Sequence, residues 1–184
     1  TGADAAGIVG HFGTFGVHVA RELMDVLPPV LRTAAASRVV LIGPGGNAFA
    51  AALALREPDL CGRVFATGWL SATDAAAALR ACDLVVQPYP DGVTTRRTSV
   101  MAALANGVAV VTTDGRLTEP AWRETGAVRL APAVDPAALA AATVALLRDT
   151  GARIAIAENG RRLYDARFAI EHTLDALLDV RPAA

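Results

Sequence analysis

The sequence predicts an α/β protein, specifically a three-layer, doubly wound, Rossmann-like domain with about six parallel strands. Short runs rich in β-branched residues alternate with longer runs rich in alanine and leucine along the 184-residue chain. Several of the strand-like runs are almost continuously apolar, which is typical of strands that are covered by helices on both faces. Repeated strand–helix alternation also implies right-handed crossovers between parallel strands.

The individual elements follow from apolar spacing and from the residues that begin and end each run. Strands are predicted at residues 7–12, 38–43, 63–68, 83–89, 108–113 and 127–132. Helices are predicted at residues 17–35, 47–57, a third starting after Ser71, 98–106, 136–149 and 152–180, the last with Gly160 as a candidate kink. No Ser/Gly-rich linker interrupts the series, so residues 1–184 are predicted to form a single domain.

Composition argues against several classes of protein. The formal net charge is −1 and the 17 basic residues, all of them arginine, are spread along the chain, which argues against a nucleic-acid partner. No apolar run reaches the length of a transmembrane helix, and nothing indicates membrane contact. The first residues carry no signal-peptide pattern and resemble the cut end of a longer protein. We therefore expect a cytoplasmic domain fragment.

The cysteines and histidines do not show the spacing of a metal site. Cys61 and Cys82 form no CxxC pair, and both are predicted to act as small buried apolar residues. The three histidines are scattered along the chain. We expect neither a bound metal nor a cofactor.

The loops that follow the strands are where a ligand is expected, because open parallel sheets bind ligands beyond the carboxyl ends of their strands. The first such loop, "GHFGTFG" at residues 10–16, has glycines that let the backbone approach a phosphate. A glycine-rich turn that only permits tight packing explains the same pattern. The second loop, "GPGGNAF" at residues 43–49, lacks the GxGxxG spacing and its strand does not end in an acidic residue, so a dinucleotide-dependent dehydrogenase is not favoured.

The third loop, "TGWLS" at residues 67–71, places an aromatic ring just beyond a strand. The ring of Trp69 is a candidate for stacking on a nucleotide base. A tryptophan that closes the edge of the hydrophobic core is an equally good interpretation.

The fourth loop, within "PYPDGVTTRRTSV" at residues 88–100, has the largest number of side chains suited to binding a polar ligand. Thr98 and Ser99 open a helix whose free N–H groups favour an anion, and Arg96 and Arg97 offer planar guanidinium groups to phosphate oxygens. Asp91 would repel a phosphate but would accept hydrogen bonds from sugar hydroxyls. The loop therefore suggests a ligand that is both phosphorylated and polyhydroxylated, with an ordinary solvated loop as the alternative.

These segments, in this order, resemble the C-terminal, donor-binding domain of GT-B glycosyltransferases, in particular the large retaining family called family four. The resemblance runs through "VGHFGTFG", "VVLIGPGG", "RVFATGWLSATDAAAALRACDLVVQPYPDG", "MAALANGVAVVTT" and "DGRLTEPAW". The tail "RRLYDARFAIEHTLDALL" resembles the closing helices, which in such enzymes cross back to the other domain. The resemblance as a whole implies that this chain is the C-terminal half of a two-domain protein, whose N-terminal, acceptor-binding domain is absent from this chain.

The resemblance also implies roles for individual residues toward a nucleoside-diphosphate sugar. Gly13 and Thr14 would lie near the diphosphate, together with Thr98 and Ser99. The base would lie near Gly68 and Trp69. The transferred sugar would face a segment of four residues, Asp91, Gly92, Val93 and Thr94.

The chain departs from the family pattern at charged positions. The two glutamates that usually bracket the donor loop would fall at Thr94 and Ala102, and neither position is acidic. His11 lies near the position of a usual arginine, and the chain has no lysine. We hypothesise that Arg96 and Arg97 neutralise the diphosphate instead.

The expected function is donor binding in a glycosyltransferase that moves a glycosyl group from a nucleoside diphosphate to an acceptor hydroxyl, with no metal required and with little activity in the isolated domain. Orienting the donor and stabilising the leaving diphosphate would supply catalysis. A catalytically inactive GT-B-like binding module is the alternative, favoured by the missing acid at Ala102. A phosphosugar or nucleotide epimerase of similar fold is less favoured, because no acid/base pair can be placed.

Overall fold

The computed structural model describes residues 6–178. Within them the chain forms one six-stranded sheet in the order β3-β2-β1-β4-β5-β6, and every pair of neighbouring strands is parallel. The strands are β1 Ile8–Phe12, β2 Arg38–Ile42, β3 Val64–Gly68, β4 Leu84–Gln87, β5 Ala109–Asp114 and β6 Arg129–Pro132. This order reverses direction between β1 and β4, which makes that gap the switch point of the doubly wound fold.

Helices connect the strands. They are α1 Val17–Thr33, α2 Gly46–Arg56, α3 Ala72–Arg80, α4 Thr98–Ala105, α5 Pro120–Glu124, α6 Pro136–Arg148, α7 Thr150–Arg167 and α8 Ile170–Leu178, with a short 3-10 helix at Pro58–Leu60. Local capping explains several starts: the Ser71 hydroxyl accepts from the Asp74 amide, and the Asp135 carboxylate accepts from the Ala138 amide. The predicted α/β architecture with six parallel strands is confirmed.

Two hydrophobic clusters cover the two faces of the sheet. On one face, Val9 and Leu41 pack with buried side chains of α1, α2 and α6. On the other face, Val85 and Val110 pack with buried side chains of α3, α4 and α5. Because successive strand residues point to opposite faces, both clusters draw on the same strands, and this explains the continuous apolar runs in the sequence.

Three expectations about single elements need correction. Gly160 does not kink the last helical segment, because α7 continues through it; a Cβ there would lie 2.7 Å from Leu104 Cδ2, so glycine is needed for close packing of α7 on α4. The break falls instead between α7 and α8, and residues 179 and 180 of that expected helix lie outside the described part. Cys61 is exposed, whereas Cys82 is buried as expected. The short helix α5 was not predicted.

Candidate functional site

The switch point opens a crevice because β1 and β4 separate early. Their backbone pairing covers only Val9↔Leu84 and Gly10↔Val85. Beyond these pairs, two side chains join the strands: His11 Nδ1 lies 2.8 Å from the Val86 carbonyl oxygen, and Gln87 Nε2 donates to the Phe12 carbonyl oxygen at 3.0 Å. The strands therefore stay connected through polar side chains while their carboxyl ends move apart.

A pocket of about 390 Å³ fills this crevice. Its walls come from the β1–α1 loop, from the ends of β1 and β4, and from the loop that leads into α4. The lining residues include His11, Gly13, Thr14, Phe15, Gln87, Tyr89, Arg96, Arg97, Thr98 and Ser99. The structure thus brings together all six residues that the sequence assigned to a diphosphate.

The pocket is electropositive. Arg96 and Arg97 line it, and neither forms an ion pair with any residue in the range 6–178. Among the described residues, no Asp or Glu lines it. Helices α1 and α4 both begin at the pocket, and neither has an acidic residue in its first turn. Free N–H groups and unpaired guanidinium groups therefore act in the same direction, toward binding an anion.

Arg97 is held in place by an aromatic ring. Its guanidinium carbon lies 4.2 Å from the centre of the Tyr89 ring, a cation–π contact, while its Nε is buried without a hydrogen-bond partner. The Tyr89 hydroxyl lies 2.7 Å from Ser99 Oγ, and burial raises the pKa of Tyr89. Tyr89 thus contacts both the Arg97 guanidinium and the hydroxyl of Ser99, which lies in the first turn of α4.

His11 forms the buried wall of the pocket and is neutral. Its side chain is 1% exposed, and desolvation lowers the pKa of the imidazole to about 4. Because the Val86 carbonyl can only accept, Nδ1 carries the proton and Nε2 has a free lone pair. Nε2 has no partner among the described residues. His11 therefore does not supply the positive charge that the family pattern has near this position.

Phe15 shapes the first loop. It adopts a left-handed backbone conformation with φ of 56°, uncommon for a residue other than glycine. Its ring packs edge-on against His11 and in a tilted arrangement against Phe49. Such conformations persist only where surrounding packing enforces them. The loop beside Gly13 and Thr14 is accordingly held in one shape.

The loop that carries the arginines is tied to the neighbouring β5–α5 connection. Glu119 accepts hydrogen bonds from the Thr95 amide at 2.7 Å, from the Thr95 hydroxyl at 2.8 Å and from Trp122 Nε1 at 2.8 Å. Trp122 is itself fully buried. A single carboxylate thus anchors the arginine-bearing loop to the core.

The residues predicted to face the sugar lie beside the pocket rather than in its lining. Asp91 pairs with Arg116 at 2.9 Å. Gly92, with φ of +91°, lies so close to Gly115 and Thr118 that no side chain would fit there. The side chain of Val93 is 0% exposed and belongs to the core, so this residue can face a ligand only through its backbone.

The remaining predicted residues also lie outside the lining. Thr94 is half-buried and its carbonyl accepts from the Arg97 amide. Gly68 is the last residue of β3 and Trp69 follows it, at the other end of the sheet's carboxyl edge from β6. Trp69 is 77% exposed, so it does not close the core, and its ring is available to a ligand.

Sequence reasoning missed four residues that build the site: Phe15, Gln87, Tyr89 and Glu119. One of them had a visible signal, because Gln87 is a polar residue directly after the apolar run of β4, and a polar residue in a strand buried on both faces needs a specific partner. The roles of Phe15 and Glu119 depend on contacts across the fold.

Within residues 6–178, no group of three or more His, Cys, Asp or Glu side chains is arranged to hold a metal ion. None of the helices in this range combines the length and the apolar character that crossing a membrane requires.

Comparison with solved structures confirms the architecture. The C-terminal domain of the group 1 glycosyl transferase LpcC from Francisella tularensis matches with a TM-score of 0.73 and 20% identity, over 89% of this chain and 86% of that one. HepE of Anabaena, solved with UDP and glucose, matches with a TM-score of 0.68 and 22% identity, over 94% of this chain and 49% of that one. Sucrose-phosphate synthase from Thermosynechococcus elongatus matches with a TM-score of 0.74 and 22% identity, over 94% of this chain and 44% of that one.

The chain therefore spans about half of HepE and of the synthase, and most of the isolated LpcC domain. A search of curated proteins finds no match. A family model described as "Glycosyl transferases group 1" matches residues 6–149, well over half of the 184 residues. The predicted resemblance to the C-terminal domain of a GT-B glycosyltransferase is confirmed, and the chain belongs to the group 1 glycosyl transferases.

Proposed function

We propose that this domain binds the nucleoside-diphosphate sugar of a retaining glycosyltransferase, which transfers the glycosyl group to an acceptor hydroxyl. The observation that carries the proposal is the pocket at the switch point, where two unpaired arginines and two helix starts converge without any carboxylate. Such a site suits a diphosphate. HepE, a protein of the same fold, was solved with UDP and with UDP-glucose.

The same charges suit the reaction as well as binding. When a glycosyl group leaves its donor, negative charge grows on the departing diphosphate, and fixed cations stabilise that charge most when they are already in place. The Tyr89 ring fixes the Arg97 guanidinium in advance, and the Glu119 anchor fixes the loop that carries both arginines. Arginine and helix N–H groups supply this stabilisation without a metal ion.

The decisive experiment is a calorimetric titration of the domain with UDP, GDP, ADP and their sugar conjugates. The double variant Arg96→Ala/Arg97→Ala should bind the preferred ligand about a hundredfold or more weakly, since each lost charged hydrogen bond is worth roughly 1.5–3 kcal/mol. The matched control removes two exposed arginines, Arg38→Ala/Arg129→Ala, which begin β2 and β6 at the opposite edge of the sheet.

The control variant should bind as tightly as the unaltered domain, because the change in net charge is the same but the distance to the pocket is large. Equal affinity of the two double variants would refute the assignment of Arg96 and Arg97. Absence of binding by the unaltered domain to every ligand of the panel would refute donor binding altogether.

A second domain is part of the proposal. Helix α8 has no buried residue, and Ile170, Leu174, Leu177 and Leu178 expose an apolar stripe at helical spacing. An acceptor-binding domain that packs against this stripe would close the cleft over the pocket. We accordingly expect transfer activity in a two-domain protein and little in this domain alone.

The alternative is a binding module of the same fold that has lost turnover. Ala102 and Thr94 stand where the family pattern has glutamates, and no acidic side chain lines the pocket. A two-domain protein that hydrolyses a sugar nucleotide or transfers its sugar would exclude this alternative. Binding without turnover across a panel of acceptors would favour it.

A further inference from the structure

Two buried polar atoms in the described part of the chain have unmet hydrogen-bonding capacity. Within residues 6–178, the buried side-chain nitrogen or oxygen atoms without a partner are His11 Nε2 and Arg97 Nε. Both residues line the same pocket. Buried polar groups in folded proteins are almost always paired, so two exceptions in one cavity point to a ligand that completes them.

The two atoms need opposite partners. Arg97 Nε carries a hydrogen and can only donate. His11 already uses its Nδ1 proton on the Val86 carbonyl, so the neutral ring presents a lone pair at Nε2 and can only accept there. A ligand that satisfies both must bring an acceptor and a donor into one pocket. A fully ionised phosphate brings acceptors alone, and its oxygens would be repelled by the His11 lone pair.

In the free domain, protonation of His11 is disfavoured. The charged groups that face the pocket are Arg96 and Arg97, the starts of α1 and α4 add partial positive charge, and no carboxylate lies in the lining. The ring is also buried against Phe15 and almost without solvent. A third positive charge at this place is disfavoured by both repulsion and desolvation. His11 is therefore a neutral acceptor.

We propose that His11 Nε2 accepts a hydrogen bond from a hydroxyl group of the ligand while Arg97 Nε donates to a phosphate oxygen of the same molecule. The inference rests on the proposed function and refines it. It makes His11 a specificity-determining residue, one that selects phosphorylated sugars carrying a hydroxyl in the correct position. It also gives a role to the residue that replaces the expected arginine.

Two substitutions of His11 separate the acceptor from the rest of the ring. His11→Asn keeps an N–H at the position of Nδ1 for the Val86 carbonyl but has no atom at the position of Nε2. His11→Gln places an amide oxygen near Nε2. The exposed His18 provides the matched control, His18→Asn.

The affinity of each variant is measured by calorimetry at pH 7.5 with whichever member of the UDP, GDP, ADP and sugar-conjugate panel the unaltered domain binds most tightly. We expect His11→Asn to weaken binding about tenfold, the usual effect of losing one neutral hydrogen bond. We expect His11→Gln to stay within about threefold of the unaltered domain, and His18→Asn to match it. Thermal melts check that each variant is folded.

A measurement on the unaltered protein covers the case in which a variant fails to fold. Nitrogen-15 NMR of the histidine ring should show Nε2 without a proton in the free domain and a shift of that nitrogen toward hydrogen-bonded values on adding ligand. An unshifted Nε2 overturns the proposal. It is equally overturned if His11→Asn binds like the unaltered domain, or if His11→Gln is as weak as His11→Asn.

These failures are distinct from failure of the proposed function. In each of them the unaltered domain still binds its sugar nucleotide. Only the absence of any binding by the unaltered domain rejects the donor site, and the hydroxyl contact with it.

Discussion

Acidification should destabilise this domain through His11. The folded protein holds the pKa of the buried imidazole at about 4, whereas an unfolded chain has the ordinary value of 6.5. Between these two pH values the unfolded state binds the extra proton, so stability falls as the pH is lowered from 6.5 to 4 and this contribution is constant outside that window. The difference of about 2.5 pH units corresponds to about 3 kcal/mol at 1.36 kcal/mol per unit.

The assay is urea unfolding at pH 7 and at pH 4, for the unaltered domain and for His11→Gln. Carboxylates such as Asp114, whose pKa is lowered by its hydrogen bonds to Arg123, also lose stabilising interactions in acid, and the variant subtracts their effect. The loss of stability should be about 3 kcal/mol smaller in His11→Gln. The exposed His18, changed to Gln, should leave the loss unaltered.

Equal losses of stability in the unaltered domain and in His11→Gln would refute this role of His11. An NMR titration of His11 with a midpoint near 6.5 would refute it independently, because a solvated imidazole would have that value. Either result would mean that the ring is not buried as the structure shows.

Three further predictions concern packing, the loop anchor and the base. Gly160→Ala should lower the free energy of unfolding in urea by about 1–3 kcal/mol through overpacking, whereas Gly151→Ala in the same helix should not; equal effects would contradict the packing argument. Glu119→Gln should cost about 1–2 kcal/mol of stability in the same assay and weaken nucleotide binding, and unchanged values would mean that the loop holds without it. Trp69→Ala should weaken calorimetric nucleotide binding about fivefold or more and Phe65→Ala should not, unless the base binds elsewhere.

The fold could be predicted because its determinants are local. Each strand has its own apolar run. Several helix starts are marked by capping residues such as Ser71 and Asp135, whose side chains accept a hydrogen bond from the amide three residues further on. The features that could not be predicted depend on contacts between residues that are far apart in the sequence. The need for glycine at position 160 comes from Leu104 on another helix, and no local pattern shows that contact.

The same distinction between local and long-range determinants applies to the candidate site. Residues in the strand-end loops, such as Gly13 and Arg97, could be predicted to lie near one another because the carboxyl ends of parallel strands meet at one edge. The neutral state of His11 could not, because it depends on burial in the folded core. Its tautomer depends on the Val86 carbonyl, 75 positions further along the chain. The burial of the Val93 side chain was not predicted either, because this residue lies in a loop between polar neighbours and its core contacts are formed only in the folded protein.

The departures from the family pattern form one physical arrangement. A neutral His11 removes a cation from the first loop, and Arg96 with Arg97 brings two cations from the loop before α4. The positions of those arginines depend on the conformation of their loop, which Glu119 holds by accepting hydrogen bonds from Thr95. Positive charge in this pocket therefore depends on an anchor that no ligand needs to touch, and weakening that anchor should loosen diphosphate binding while leaving the hydroxyl contact at His11 intact.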